Sequence, residues 1–202
     1  CTLVQGTPTL NLVFPEGLEK LTKDFTSPYF YWTENEGRFE KAENGVQVLS
    51  GPESSAVAAI KATQPGGTFA IRSLSNGEFV IFLIDKKLLD KPENTAVSGV
   101  RLALYVENKP ENNAALFMMK DEEQKVIASF TYPQNRETVI TIDLDSHKFT
   151  VLDAWGEVIF GTKLPETIDS NGAIWVIGDP ATDNQGTTNM LLRGICFKDG
   201  AR

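Results

Sequence analysis

Between Ser98 and Val106 the chain alternates: Val100, Leu102, Leu104 and Val106 point one way, Arg101, Ala103 and Tyr105 the other. A period of two is the mark of a half-buried strand. Comparable runs recur over the whole length: Tyr29–Trp32, Arg38–Ala42, Val46–Leu49, Ser55–Ala62, Thr68–Leu74, Glu78–Ile84, Val97–Val106 and Ala114–Met119. Val126–Tyr132, Glu137–Leu144, His147–Leu152, Glu157–Gly161, Ala173–Ile177 and Asn189–Lys198 continue the series. Turn formers separate them. Glu43-Asn44-Gly45 and Asn76-Gly77 carry the Asn-Gly hairpin signal, because both residues tolerate positive φ. Gln64-Pro65-Gly66-Gly67, Pro110, Asn112-Asn113, Pro133, Pro165, Asn171-Gly172 and Pro180 supply further breaks. Helical periodicity is confined to Leu18–Phe25 and, as a short helix or a broken edge, Leu83–Asp90. Thr7–Phe14 alternates weakly and stops at Pro15, so 1–15 reads as an extended tether or an edge strand. About a dozen strands with regular turn spacing and no repeat predict an all-β, antiparallel two-sheet jelly-roll sandwich. No Pro/Ser-rich linker or charge block divides the chain, so residues 1–202 are expected to form one domain.

The charge narrows the list of partners. With 27 acidic and 19 basic residues the formal net charge is −8. Phosphate backbones need a basic footprint, so nucleic acid is excluded as a partner, and an anionic membrane surface is disfavoured for the same reason. A neutral ligand, a cation or a basic partner fits better. No apolar run reaches the roughly 18–20 residues of a membrane span.

The two cysteines leave alternatives open. Cys1 stands where a leader would have been removed, and reads as the lipid-bearing cysteine of a bacterial lipoprotein, as a chain boundary, or as half of a disulfide with Cys196. The expectation is an exported protein, secreted or held at a cell surface.

Four segments between about Ala96 and Gly200 carry a family resemblance. SGVRLALYVENK followed by NNAALFMM, then RETVITIDLDSHKFTVLDAWGEVIFG, GAIWVIGDP and GTTNMLLRGICFKDG together resemble the concanavalin A-like lectin/glucanase superfamily. The likeness is to its laminin-G-like and pentraxin-like branches, with Phe149–Leu152, Gly156 and Val158–Phe160 forming the hairpin. The resemblance implies the concanavalin A-like form of the jelly roll; the alternative is the galactose-binding-like jelly roll of many carbohydrate-binding modules. It implies an activity less strongly, because fold and function separate readily.

Three chemistries follow. Glycosidases of this superfamily place catalytic carboxylates on one strand as Glu-x-Asp-x-x-Glu, one acid protonating the leaving oxygen. Asp143 and Asp145 have the i, i+2 spacing, but Lys148 takes the last place; Glu34 and Glu36 have it too, with Phe39 there. The catalytic pattern is therefore missing at both. The superfamily's laminin-G-like members often hold Ca²⁺ in terminal loops, and the oxygen-rich stretch from Asp179 to Asn184 offers Asp179 and Asp183 as ligands. Turn capping is the plainer use of those acids. Aromatic platforms are the third. Sugar C–H faces stack on Trp and Tyr while neighbouring polar groups bond the hydroxyls. Trp155, in the expected turn Asp153-Ala154-Trp155-Gly156, is the best candidate, with Asp153 in the same turn; Trp32 and Tyr31, clustered with Tyr29 in a separate strand, are further candidates, and Trp175, inside an apolar run, reads as core. His147 is the sole histidine and builds neither a zinc site nor a triad.

The expectation is a non-catalytic, extracellular or surface-tethered domain that binds a carbohydrate or similar ligand. A laminin-G-like, protein-contacting adhesion domain is the second reading, and a polysaccharide-cleaving glycosidase the third.

Overall fold

The computed structural model describes residues 30–35, 38–42, 45–51, 55–61, 67–84, 100–120, 123–168, 174–179 and 187–198. Among these there are fourteen strands and no helix. One seven-stranded sheet, here the β6 sheet, contains β1 (Phe30–Asn35), β4 (Ser55–Lys61), β6 (Phe79–Ile84), β7 (Val100–Val106), β8 (Ala114–Lys120), β9 (Glu123–Phe130) and β13 (Ile174–Asp179). The other, the β5 sheet, contains β2 (Arg38–Ala42), β3 (Gly45–Ser50), β5 (Thr68–Ser75), β10 (Glu137–Asp143), β11 (Lys148–Asp153), β12 (Val158–Lys163) and β14 (Thr188–Lys198). Their orders are β1-β4-β13-β6-β7-β8-β9 and β12-β11-β10-β5-β14-β3-β2. Every pairing is antiparallel. This is the jelly-roll sandwich that the alternation predicts.

Alternation sorts the side chains. On β5, Phe69 and Ile71 enter the core and Arg72 and Leu74 lie on the outer face, half-buried. Phe79, Ile81 and Leu83 answer from β6, Leu102 and Leu104 from β7, Ile140 and Ile142 from β10, and Phe149 and Val151 from β11. Each large side chain buried this way contributes about 1.5–3 kcal/mol. Phe130 stacks on Phe160 (centroids 4.1 Å apart, planes 3° apart), joining edge strand β9 to edge strand β12.

Two turn readings need correcting. Asn76-Gly77 is not a hairpin, because β5 and β6 belong to different sheets. It is a crossover between layers that leans on the start of β14: Asn76 N–H donates to Asn189 O and Glu78 N–H to Thr187 O, both at 2.8 Å. Gly77 (φ +123°) presses against the Thr187 carbonyl so closely that a Cβ would collide with it. His147 does not begin β11. It has φ +51° and closes the turn after β10, so the strand starts at Lys148. The expected hairpin across Glu43 and Asn44 does join paired strands, β2 and β3. Residues 1–29 and 85–99, including the two helical readings apart from Leu83 and Ile84, lie outside the described residues, as does Cys1.

Candidate functional site

The β11–β12 hairpin is built around one carboxylate. Asp153 Oδ1 accepts the N–H groups of Trp155 and Glu157, each at 2.9 Å. Asp153 N–H donates to Glu157 O at 2.9 Å, and Gly156 N–H to Asp153 O at 3.1 Å. Gly156 takes φ +87°, a conformation glycine adopts without strain. The result is a closed turn that projects Trp155 into solvent with 71% of its surface exposed. Asp153 is thus the organiser of the turn, and Trp155 is its free face.

Strand direction places this hairpin among other loops. β5 ends at Ser75 and β6 begins at Phe79, so the 76–78 crossover marks one end of the sandwich. β10 starts at that end, β11 finishes there, and β13 also finishes there, at Asp179. The β10–β11 register sets Thr138 opposite Asp153, and continued two steps it sets exposed Arg136 level with Trp155.

Side chains stitch this end together. Gln134 accepts from Gly77 N–H (3.2 Å) and donates to Gly77 O (3.0 Å). Asn113 Nδ2 donates to Tyr132 O at 3.0 Å, and Tyr132 N–H returns to Asn113 Oδ1 at 2.7 Å. Thr188 Oγ1 donates to Glu78 O at 2.7 Å. The Tyr132 phenol is fully buried against the Thr138 hydroxyl, beside Ser73 and Ser75. Burial pushes its pKa up, against the opposing pull of those hydroxyls. The 131–136 loop, and with it Arg136, is therefore anchored on both sides.

Below the hairpin lies the outer face of the β5 sheet. β10, β5 and β14 are neighbours, and they bring Glu137, Arg72 and Arg193 together. Arg72 Nε and a terminal nitrogen both contact Glu137 Oε1, while Arg193 Nε sits 3.2 Å from Glu137 Oε2. The side chains are only 13%, 14% and 32% exposed for Arg72, Glu137 and Arg193 respectively. Burial first, and the like charge of Arg193 second, lower the Arg72 pKa from its ordinary 12.5. On the same face Gln47 Nε2 donates to Asn189 Oδ1, half-buried Leu74 lies beside Glu137, and half-buried Leu152 lies one strand further out, on β11. The face thus mixes apolar ground with a forked ionic cluster and an amide pair, the lining expected of a ligand site.

The other sequence candidates distribute as follows. Trp32 and Tyr31 lie on β1, where only the backbone is described. Trp32 pairs with Ala58, in register with Ile177, Ile81 and Leu104; Tyr31 pairs with Ala59, in register with Val176, Phe82 and Ala103. They sit at the far edge of the β6 sheet, away from the Trp155 hairpin on the β12 side of the other sheet. Asp179 ends β13 at the Trp155 end; Asp183 lies outside the described residues, and of Cys196 only its place in β14 is described. Among the described residues no cluster of three His, Cys, Asp or Glu could hold a metal ion. Asp143 and Asp145 serve turns at the opposite end: Asp143 Oδ1 accepts from Asp145 and Ser146 N–H (2.9 and 3.0 Å), and Asp145 Oδ1 from Gly67 N–H (3.1 Å). No described helix is long and apolar enough to cross a membrane.

Sequence reading passed over Arg72, Glu137, Arg193, Gln47, Asn189 and Arg136. They come from four stretches of chain, and only strand order joins them. The local signals were Arg72, the single charge of its strand, and Arg193, a charge inside the apolar run of β14.

No family model matches the chain, and no curated protein matches its sequence. Solved structures do match. The carbohydrate binding module CBM66 from Bacillus subtilis is 11% identical, covers 87% of this chain and 99% of its own, and superposes with a TM-score of 0.53. The exoplasmic/lumenal domain of VIP36, solved with Ca²⁺ and Man3GlcNAc, is 14% identical over 86% of this chain and 85% of its own, with a TM-score of 0.53. The carbohydrate recognition domain of Emp47p is 14% identical over 90% and 94%, with a TM-score of 0.51. At these identities the likeness is one of fold alone, an antiparallel two-sheet jelly-roll sandwich.

Proposed function

We propose that this chain is a non-catalytic carbohydrate-binding domain, acting outside the cell or at its surface. The proposed binding region is the Trp155 rim with the adjoining outer face of the β5 sheet. The observation that carries the reading is Trp155 itself. Its ring, held open to water by a hydrogen-bonded turn, offers a flat apolar face with a polar N–H at its edge, the shape on which a sugar's C–H face stacks. Structural neighbours that include a carbohydrate binding module, a carbohydrate recognition domain and a domain solved with Man3GlcNAc support the same reading. Within it, Trp155 stacks on a sugar ring, Arg136 reaches its hydroxyls, and the polar groups of the face continue the contact. The laminin-G-like or pentraxin-like branch is the finer placement we favour. A Ca²⁺ contribution from Asp179 and Asp183, and a lipid tether at Cys1, remain proposals of the same kind. Chelation with EGTA tests the first, and mass spectrometry of the membrane-extracted protein the second.

Cleavage is left out of this reading because Asp143 and Asp145 are both engaged in turns at the end opposite Trp155. A protein-contacting role is the second reading, and exposed Val158 and Ile159 favour it. A glycan array probed with the wild-type chain and Trp155→Ala tests the first choice. Binding lost in the variant is expected. No binding by wild type, or binding unchanged in the variant, would overturn it.

A further inference from the structure

Among the described residues four large apolar side chains are exposed, and three of them, Trp155, Val158 (63%) and Ile159 (40%), fall within five positions of one hairpin. Val158 and Ile159 belong to β12, the outermost strand of its sheet. An edge strand presents a row of N–H and C=O groups, and exposed apolar residues on it make a pairing surface. Leu164 N–H donates inward to His147 O at 2.8 Å. By the antiparallel alternation Phe160 and Thr162 then also turn toward β11, while Gly161 and Lys163 turn outward. A bulge opposite Leu152 takes up Ile159.

We infer that β12 pairs antiparallel with β12 of a second copy of this chain, about a two-fold axis through Phe160. The charges select this occupant. With Phe160 opposite its own copy, exposed Glu157 falls opposite exposed Lys163, and the symmetry repeats that pair at the other end. Ile159 then falls opposite Gly161 twice, and the absent side chain leaves room for it. The strand is complementary to itself, as a two-fold interface demands. The axis stands normal to the sheet, so both outer faces of the β5 sheets look the same way. The two Trp155 hairpins lie roughly 33 Å apart along the strand direction, counted as ten residues at about 3.3 Å each. Such a dimer presents two outer faces of the β5 sheet to one surface, each with its Trp155 hairpin at an opposite end, and gains avidity on it.

Sedimentation equilibrium on the intact protein, at concentrations up to the order of 100 µM, tests this without reference to any ligand. Wild type is expected to dimerise. Ile159→Lys should be monomeric with an unchanged melting temperature; Val158→Lys serves if that variant fails to fold. Glu157→Lys sets like charges opposite each other and should weaken the dimer about tenfold; Glu157→Lys with Lys163→Glu should restore it. A monomeric wild type would overturn the proposal, as would a dimer indifferent to lysine at 158 and 159. Failure of the charge-swapped double variant to recover would overturn the register.

Discussion

The carboxylate of Asp153 holds the backbone N–H of Trp155 at 2.9 Å and that of Glu157 at the same distance. A single acid therefore fixes where the most exposed tryptophan of the described surface points. Removing it separates two properties. Asp153→Ala should lower stability by about 1 kcal/mol, the usual net value of such bonds at a partly exposed turn. It should also loosen Trp155, seen as a fall in tryptophan fluorescence anisotropy. Asp153→Asn keeps an accepting oxygen and should lose less of both. Trp155→Ala, by contrast, should leave the melting temperature within a degree or two, on the order expected of an exposed site.

Tyr132 gives the chain an alkaline limit. Its hydroxyl is buried against Thr138, and burial raises its pKa above the ordinary 10.0. The unfolded chain ionises first as pH rises, so the stability this group contributes is complete below about pH 10. It is lost as pH climbs from there toward the folded-state value. Tyr132→Phe leaves the Thr138 hydroxyl buried without its partner and should cost about 1–2 kcal/mol at neutral pH. Urea unfolding from pH 8 upward should show wild type converging on the variant.

Much of this was legible in the chain. Period-two alternation in segments such as Val100–Val106 and Thr68–Leu74 announced the strands, and the Asp153–Gly156 turn announced an exposed Trp155. The sheet partners were not legible. Asn76-Gly77 reads as a hairpin by local chemistry, yet the chain crosses between layers there. What decides is the start of β14, more than 100 residues away, whose backbone receives Asn76 and Glu78. Arg72, Glu137 and Arg193 stayed hidden for the same reason: local spacing records a residue's face, whereas strand order records its neighbours.

The ionic cluster on the outer face can be probed through its shared member. Glu137→Ala leaves two half-buried guanidinium groups facing each other without a carboxylate. A loss of about 1–3 kcal/mol is expected from urea midpoints, short of a fully buried pair because Arg193 keeps contact with water.

Gly77 and Gly161 should respond in opposite fashion to alanine. A Cβ at Gly77 would strike the Thr187 carbonyl, and φ +123° is strained for any L side chain. A loss of about 2–3 kcal/mol is expected. At Gly161 the nearest atom is Thr150 Cγ2 at 3.5 Å, an ordinary contact. There the change should stay within about 1 kcal/mol. Paired thermal melts decide between the two.

Sugar is proposed to meet this chain at the Trp155 rim. Amide chemical-shift mapping with the best oligosaccharide from an array tests it most directly. Shifts concentrated at Arg136, Leu152 and Ala154–Glu157, continuing onto Arg72 and Asn189, are the predicted result. Shifts confined to the opposite end, around Asp143–Lys148, would contradict it.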